Sequence, residues 1–168
     1  MIERAGGIPK RVSIEPPKWK LNGSALRAAF SDKTKLVLIN SPQNPSSKVY
    51  HREELLLIAD LVKEHDAIAI CDEVYEHMVY DNRQHIPLMT LPGMRDRSIR
   101  IGSAGKTFSL TGWKVGYLTG SEELLKAVSK AHQFLVFTTP PNLQRAVADG
   151  LNGDSTYFDR LNSDMRSK

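Results

Sequence analysis

Leu36 to Pro45 reads L-V-L-I-N-S-P-Q-N-P, an apolar run stopped abruptly by polar turn residues. Consecutive aliphatic residues without polar alternation suit a strand buried on both faces of a parallel sheet. The prolines that follow lack the N–H a ladder needs, so the strand ends there. The same design recurs downstream. Ala67 to Cys71, A-I-A-I-C, ends in Asp72, and Ser98 to Gly102 feeds into S-A-G-K-T-F-S-L-T-G-W-K-V-G, Ser103 to Gly116. Val115 to Thr119 is a further strand. Between the strands, Leu55, Ile58, Ala59 and Val62 recur at helical spacing within Arg52 to His65.

Strand, helix and strand in alternation predict an α/β domain. The expected form is three-layer αβα, with a mainly parallel sheet and right-handed crossovers. Upstream, residues 8–20 are rich in Pro and Lys. They read as an extended surface segment around a short strand at Val12–Ile14. Ser24 to Phe30 is expected to be a short helix with Ser24 as its cap. Downstream, Ser121 with Glu123 opens a helix through about Phe134, and two more helices are expected at residues 142–151 and 156–165. No internal repeat or low-complexity tract interrupts the pattern.

Hydrophobic content of 40% and charged content of 25% are those of an ordinary globular protein. The formal charge of +4 is spread along the chain. Only Arg95, Arg97 and Arg100 approach a cluster, and they read as a solvated loop. No nucleic-acid partner is expected. The single cysteine, Cys71, excludes an intramolecular disulfide. It reads as a small core hydrophobe in a reducing, cytoplasmic protein. The opening M-I-E-R-A-G-G-I-P lacks the basic and apolar regions of a signal peptide. No apolar run is long enough to span a bilayer, so no membrane partner is expected.

In open α/β sheets, ligands bind beyond the carboxyl ends of the strands. Asn44 lies just past the first strand end, Asp72 at the second, and Ser103 to Lys106 just past the third, so polar residues converge on one edge. Lys106 is the candidate nucleophile there, since a desolvated amine beside another cation such as Lys114 is activated toward carbonyls. Asp72 ends an apolar strand and needs a partner, because a lone buried carboxylate is costly. A protonated heterocyclic nitrogen would serve, and would make the ring an electron sink. A local arginine or a helix cap is the alternative. Tyr75 and Asn44 offer donors to a phenolate oxygen, with Pro45 fixing the turn. Ser103, Ser109 and the N–H groups around Gly105 suit a phosphate ester, and Gly102 and Gly105 let the backbone approach it. Lys114 adds charge. Together these point to an aldehyde cofactor that carries a phosphate; no metal is required. A rival reading takes S-x-x-K, Ser103 to Lys106, as the pair of a penicillin-recognising hydrolase. That class also needs S-D-N and K-T-G, and neither triplet occurs.

The set N-P-S-S-K-V, D-E-V-Y-E and G-S-A-G-K-T-F-S-L-T-G-W-K-V-G-Y resembles the class I/II aminotransferases, fold-type I enzymes dependent on pyridoxal 5′-phosphate. It is most similar to the kynurenine/glutamine transaminase and cysteine-conjugate β-lyase branch, with bacterial methionine and aromatic aminotransferases close by. The resemblance implies that Lys106 holds the cofactor as a Schiff base and shuttles a proton. It implies that Asp72 pairs with the pyridine nitrogen, that Asn44 and Tyr75 bond the phenolic oxygen, and that Ser103 and Lys114 bind the phosphate. Catalytic roles thus fall to Lys106, Asp72 and Tyr75. One departure is Ser47, where the family motif N-P-x-G has glycine; a positive φ there would strain the serine.

The implied reaction moves an amino group between an amino acid and a 2-oxo acid, in a homodimer. β-Elimination from a sulfur-substituted amino acid, and a non-catalytic aminotransferase-like module, are the alternatives. Residues 1–150 are expected to be the central part of the cofactor-binding large domain, and 151–168 the start of a connection to a small domain. An upstream segment with further phosphate donors, and that small domain with its substrate-gripping arginine, do not fit within 168 residues. A partial sheet is expected to leave an unpaired apolar edge.

Overall fold

The computed structural model describes residues 2–168. Its centre is a four-stranded sheet in the order β1-β2-β3-β4, with β1 at Leu36–Asn40, β2 at Ile68–Asp72, β3 at Ser98–Ser103 and β4 at Gly116–Thr119. β1, β2 and β3 are parallel, whereas β4 runs antiparallel to β3. The α/β class and the mainly parallel sheet are as the sequence indicates, and the antiparallel last strand makes the sheet mixed. The helices are α1 (Gly23–Ala29), α2 (Arg52–Glu64), the single turn α3 (Ala104–Thr107), α4 (Glu122–Leu135), α5 (Pro141–Leu151) and α6 (Thr156–Arg166).

α2 begins where the Glu54 carboxylate reaches back to the His51 N–H at 3.0 Å, occupying a donor the first turn leaves free. Leu55, Ile58, Ala59, Leu61 and Val62 form its apolar stripe. They bury against Ile39 of β1 and Ala69 and Cys71 of β2 in the main core, which α1 joins through Leu26. Because side chains alternate along a strand, the other face carries Leu36, Leu38, Ile68 and Ile70. There Leu36 is 53% exposed and Leu38 is 62% exposed. β1 is therefore buried on one face only. Among the described residues no buried apolar cluster forms on the second face.

Two local expectations are corrected. Val12–Ile14 forms no strand; Val12 and Ile14 instead lie half-buried against the main core. The cap of α1 is Asn22, not Ser24: Asn22 Oδ1 accepts the Ala25 N–H at 3.0 Å and the Ser24 hydroxyl at 2.8 Å. Asn22 has the extended backbone a cap requires, whereas Ser24 is already helical. Ser121 caps α4 as expected, accepting the Leu124 N–H.

Candidate active site

The turn after β1 is tied to the end of β2. The Ser41 N–H and Asn40 Nδ2 both donate to the Asp72 carbonyl at 3.0 Å. Asn40 Oδ1 then accepts the Asn44 N–H at 2.9 Å, and Asn44 Nδ2 donates to the Tyr75 hydroxyl at 3.3 Å. Ser41–Pro42 and Asn44–Pro45 are both cis within this turn. Ser47 has φ +57°, the left-handed backbone the missing glycine would favour. Its N–H reaches the Gln43 carbonyl at 2.7 Å, which closes the loop.

Asp72 is half-buried, and its Oδ1 accepts the Val74 N–H at 3.4 Å. Among the described residues it has no ion-pair partner; the arginine one strand away binds Glu73 and Glu76 instead. The local-arginine alternative for Asp72 is thereby set aside.

On the neighbouring strand end, Ser103 is the residue before α3, and its hydroxyl makes no capping bond. Thr111 Oγ1 donates to the Gly105 carbonyl at 3.0 Å. A Cβ on Gly105 would stand 2.9 Å from Thr111 Cα and 3.4 Å from Ser103 Oγ, so the turn closes only around glycine. Lys106 is half-buried, with Nζ 5.7 Å from the centre of the Tyr75 ring. Lys106, Tyr75 and Asn44 therefore come together across strand ends, with Asp72 at the root of the Tyr75 turn. Lys114 is exposed in a left-handed conformation at φ +56°, and Ser109 is likewise exposed at φ +55°. Neither has a contact that ties it to the other site residues. Gly102 corrects an expectation. A Cβ there would fall 2.2 Å from Tyr117 Cε2, so its bareness makes room for an aromatic ring and not for a phosphate.

A groove of about 920 Å³ opens beside the Asn44–Tyr75 pair, with Trp19, Lys48, Tyr80 and Arg83 on its walls. Lys106 and Asp72 lie outside its lining, so the groove adjoins the convergent residues and does not contain them all.

Sequence reading missed the buried charges that hold this edge. The Lys48 ammonium bonds Glu54 at 2.8 Å, with side-chain exposures of 5% and 13%. Burial alone would push the Glu54 carboxyl up. The Lys48 ammonium and the His51 and Leu21 N–H donors outweigh it, leaving the group below its ordinary 4.5. Glu73 binds Arg100 Nε at 2.7 Å and His85 Nε2 at 3.0 Å. Arg100 is thus a half-buried residue of β3, not part of a solvated loop; Arg97 does pair with exposed Asp66. The available signal was an arginine between two isoleucines of its strand. Cys71 is the expected core thiol, pushed up to about 12 by burial and then by Glu73.

A mixed α/β sheet with an amine, a carboxylate and an amide–phenol pair at its strand ends has the open-sheet form in which ligands bind beyond the carboxyl ends of the strands. The chain matches the family model of aminotransferase class I and II over residues 1–167, and it belongs to that family. It is 44% identical over 186 residues to kynurenine–oxoglutarate transaminase of Dictyostelium discoideum, covering 99% of this chain and 43% of that protein. It is 43% identical over 169 residues to human kynurenine–oxoglutarate transaminase 1, covering 94% and 40% respectively. Escherichia coli YbdL, whose structure is described with a methionine aminotransferase function, superposes at TM-score 0.92 and 32% identity, over 98% of this chain and 43% of that one. N-succinyldiaminopimelate aminotransferase of Mycobacterium tuberculosis gives TM-score 0.85 at 39% identity, over 88% and 38%.

The chain thus spans about two fifths of the length of these relatives. The family's members depend on pyridoxal 5′-phosphate and act on amino acids and 2-oxo acids. The family match also decides against the penicillin-recognising hydrolase reading of Ser103 and Lys106. Among the described residues no helix is long and apolar enough to cross a membrane.

Proposed function

We propose that the convergent residues are the central part of a pyridoxal 5′-phosphate site, and that the whole protein is an aminotransferase. The observation that carries this reading is the Asn44 Nδ2–Tyr75 hydroxyl contact at 3.3 Å with the Lys106 amine 5.7 Å from the same ring. The donor set suits the cofactor. A carboxylate without an ion-pair partner, an amine, and paired amide and phenol donors match a ring nitrogen, an aldehyde and a phenolic oxygen. The free Ser103 hydroxyl and the glycine-dependent turn at Gly105 suit a phosphate.

When bound, pyridoxal 5′-phosphate supplies an aldehyde that condenses with amines and a ring that withdraws electrons. Lys106 is the anchoring amine, and its Nζ carries the proton taken from the substrate Cα. Positioned acid–base transfer of this kind contributes on the order of 10²–10⁴-fold. The Asp72 carboxylate holds a proton on the ring nitrogen. Asn44 and Tyr75 orient the ring through its oxygen, and Ser103 and Lys114 take the phosphate. Residues 1–150 serve as the central part of the large domain, with 151–168 starting the connection toward a small domain. Substrates of the type named for the relatives, kynurenine and 2-oxoglutarate, are the first to test. A homodimer is the expected assembly, supported by the exposed apolar run Phe134, Leu135, Val136 and Phe137. The buried thiol of Cys71 suits a reducing cytoplasm.

The test is chemical. Incubation with pyridoxal 5′-phosphate and reduction with borohydride is expected to add one pyridoxyl group, mapped by peptide mass to Lys106. Label on other lysines with Lys106 unmodified overturns the assignment. In the whole protein, Lys106→Ala is expected to lower transamination about 100-fold or more.

A further inference from the structure

Tyr75 is bracketed by Glu73 and Glu76, and both carboxylates end on the guanidinium of Arg100. Arg100 Nε donates to Glu73 Oε2 at 2.7 Å, and Nη2 donates to Glu76 Oε2. Arg100 stands on β3 in register with Cys71 of β2, so the guanidinium bridges one strand to the turn that follows another. A guanidinium presents its donors in a rigid planar fork, and holding two carboxylates with it fixes their separation as well as their charge.

The contacts continue toward Lys106. The Tyr117 hydroxyl donates to Glu76 Oε1 at 3.3 Å, and the Tyr117 ring fills the space a Cβ on Gly102 would need. Gly102 immediately precedes Ser103 on the strand that leads into Lys106. One line of contacts therefore joins the turn carrying Tyr75 to the strand end carrying Lys106. Its other end is buried: Glu73 is 2% exposed and also meets His85. Without the guanidinium, Glu73 would keep His85, and Glu76 would keep His77 at 3.7 Å and the Tyr117 hydroxyl, but nothing would tie the two carboxylates to one another.

We propose that Arg100 is a positioning residue that, through Glu76 and Tyr117, sets how the Tyr75 hydroxyl stands relative to the Lys106 amine. This rests on the cofactor reading above. Arg100→Lys tests it while keeping the charge, because an ammonium is a point donor and cannot hold both carboxylates in one fork. Two readouts apply to the full chain. In hydrogen exchange, the Glu76 amide, bonded to the Glu73 carbonyl at 3.0 Å, is expected to exchange about tenfold faster in Arg100→Lys. In titration with pyridoxal 5′-phosphate, the variant is expected to bind about tenfold more weakly, and Tyr75→Phe, expected to weaken binding in the wild type, is expected to add little in that background.

Unchanged Glu76 exchange, or Tyr75→Phe effects that multiply independently of Arg100, overturns the proposal. Should Arg100→Lys not fold, Glu76→Ala removes one arm of the clamp and is expected to act in the same direction. Failure of the cofactor reading is seen separately, as wild type without a Lys106 adduct, and the exchange arm still decides the role of Arg100.

Discussion

Asn44, Asp72 and Tyr75 hang from β1 and β2, whose inner face is sealed by α2, where Val62, Ile58 and Leu55 are 0%, 1% and 2% exposed. Ser103, Lys106 and Lys114 hang from the β3–β4 connection, whose apolar support is Ala104, Val115 and Val147, with Phe108, Leu110 and Leu143 partly buried. The first half rests on a continuous core; the second rests on a satellite. Local opening costs less where fewer apolar groups are buried. The Asn44–Tyr75 half is therefore the firm reference, and the Lys106 half is the part a bound cofactor would order most. Arg100 and Tyr117 are the polar contacts that join the two.

Leu55→Ala in the main core is expected to cost about 3 kcal/mol in urea unfolding, and Val147→Ala in the satellite about 1 kcal/mol. Equal costs would break the comparison. Lys48→Met, on the firm side, leaves the Glu54 carboxylate without its cation and is expected to cost about 2 kcal/mol. Because the folded Glu54 carboxyl lies below its ordinary 4.5, its stabilisation is complete above that pH. It is lost as pH falls through the lower folded value. Lys48→Met is expected to flatten this part of the acid-unfolding curve, and an unchanged curve would remove Glu54 as its source. Ser47→Gly relieves a left-handed serine beside Asn44. It is expected to stabilise by about 0.5 kcal/mol, since glycine's greater unfolded freedom offsets part of the relief. A loss of stability there would mean that the serine side chain contributes more than its backbone costs.

Much of the edge was legible because its signals are local. Unalternated apolar runs mark parallel strands, and the polar residues at their ends fall on one side of the sheet by topology alone. Ser47 was legible for the same reason: a serine where the family motif has glycine implies a positive φ, and φ is +57°. The pairing partners of charged residues were not legible. Nothing near Arg100 in sequence says that it will meet Glu73 and Glu76, which are 27 and 24 residues away. The same holds for Gly102, whose close neighbour Tyr117 comes from an antiparallel strand that the alternating pattern did not distinguish from a parallel one.

By itself the sequence determined the four sheet strands, the longer helices, the family and the residue types at the strand ends. Those follow from hydrophobic period, turn chemistry and short-range motifs. Only the tertiary structure decided which sheet face is sealed, which carboxylates are neutralised and which is left without an ion-pair partner. Burial and charge pairing depend on distances through space between residues far apart in the chain. Asp72 illustrates the division: the sequence put a carboxylate at the end of an apolar strand, and the fold gave the nearby arginine to Glu73 and Glu76 instead.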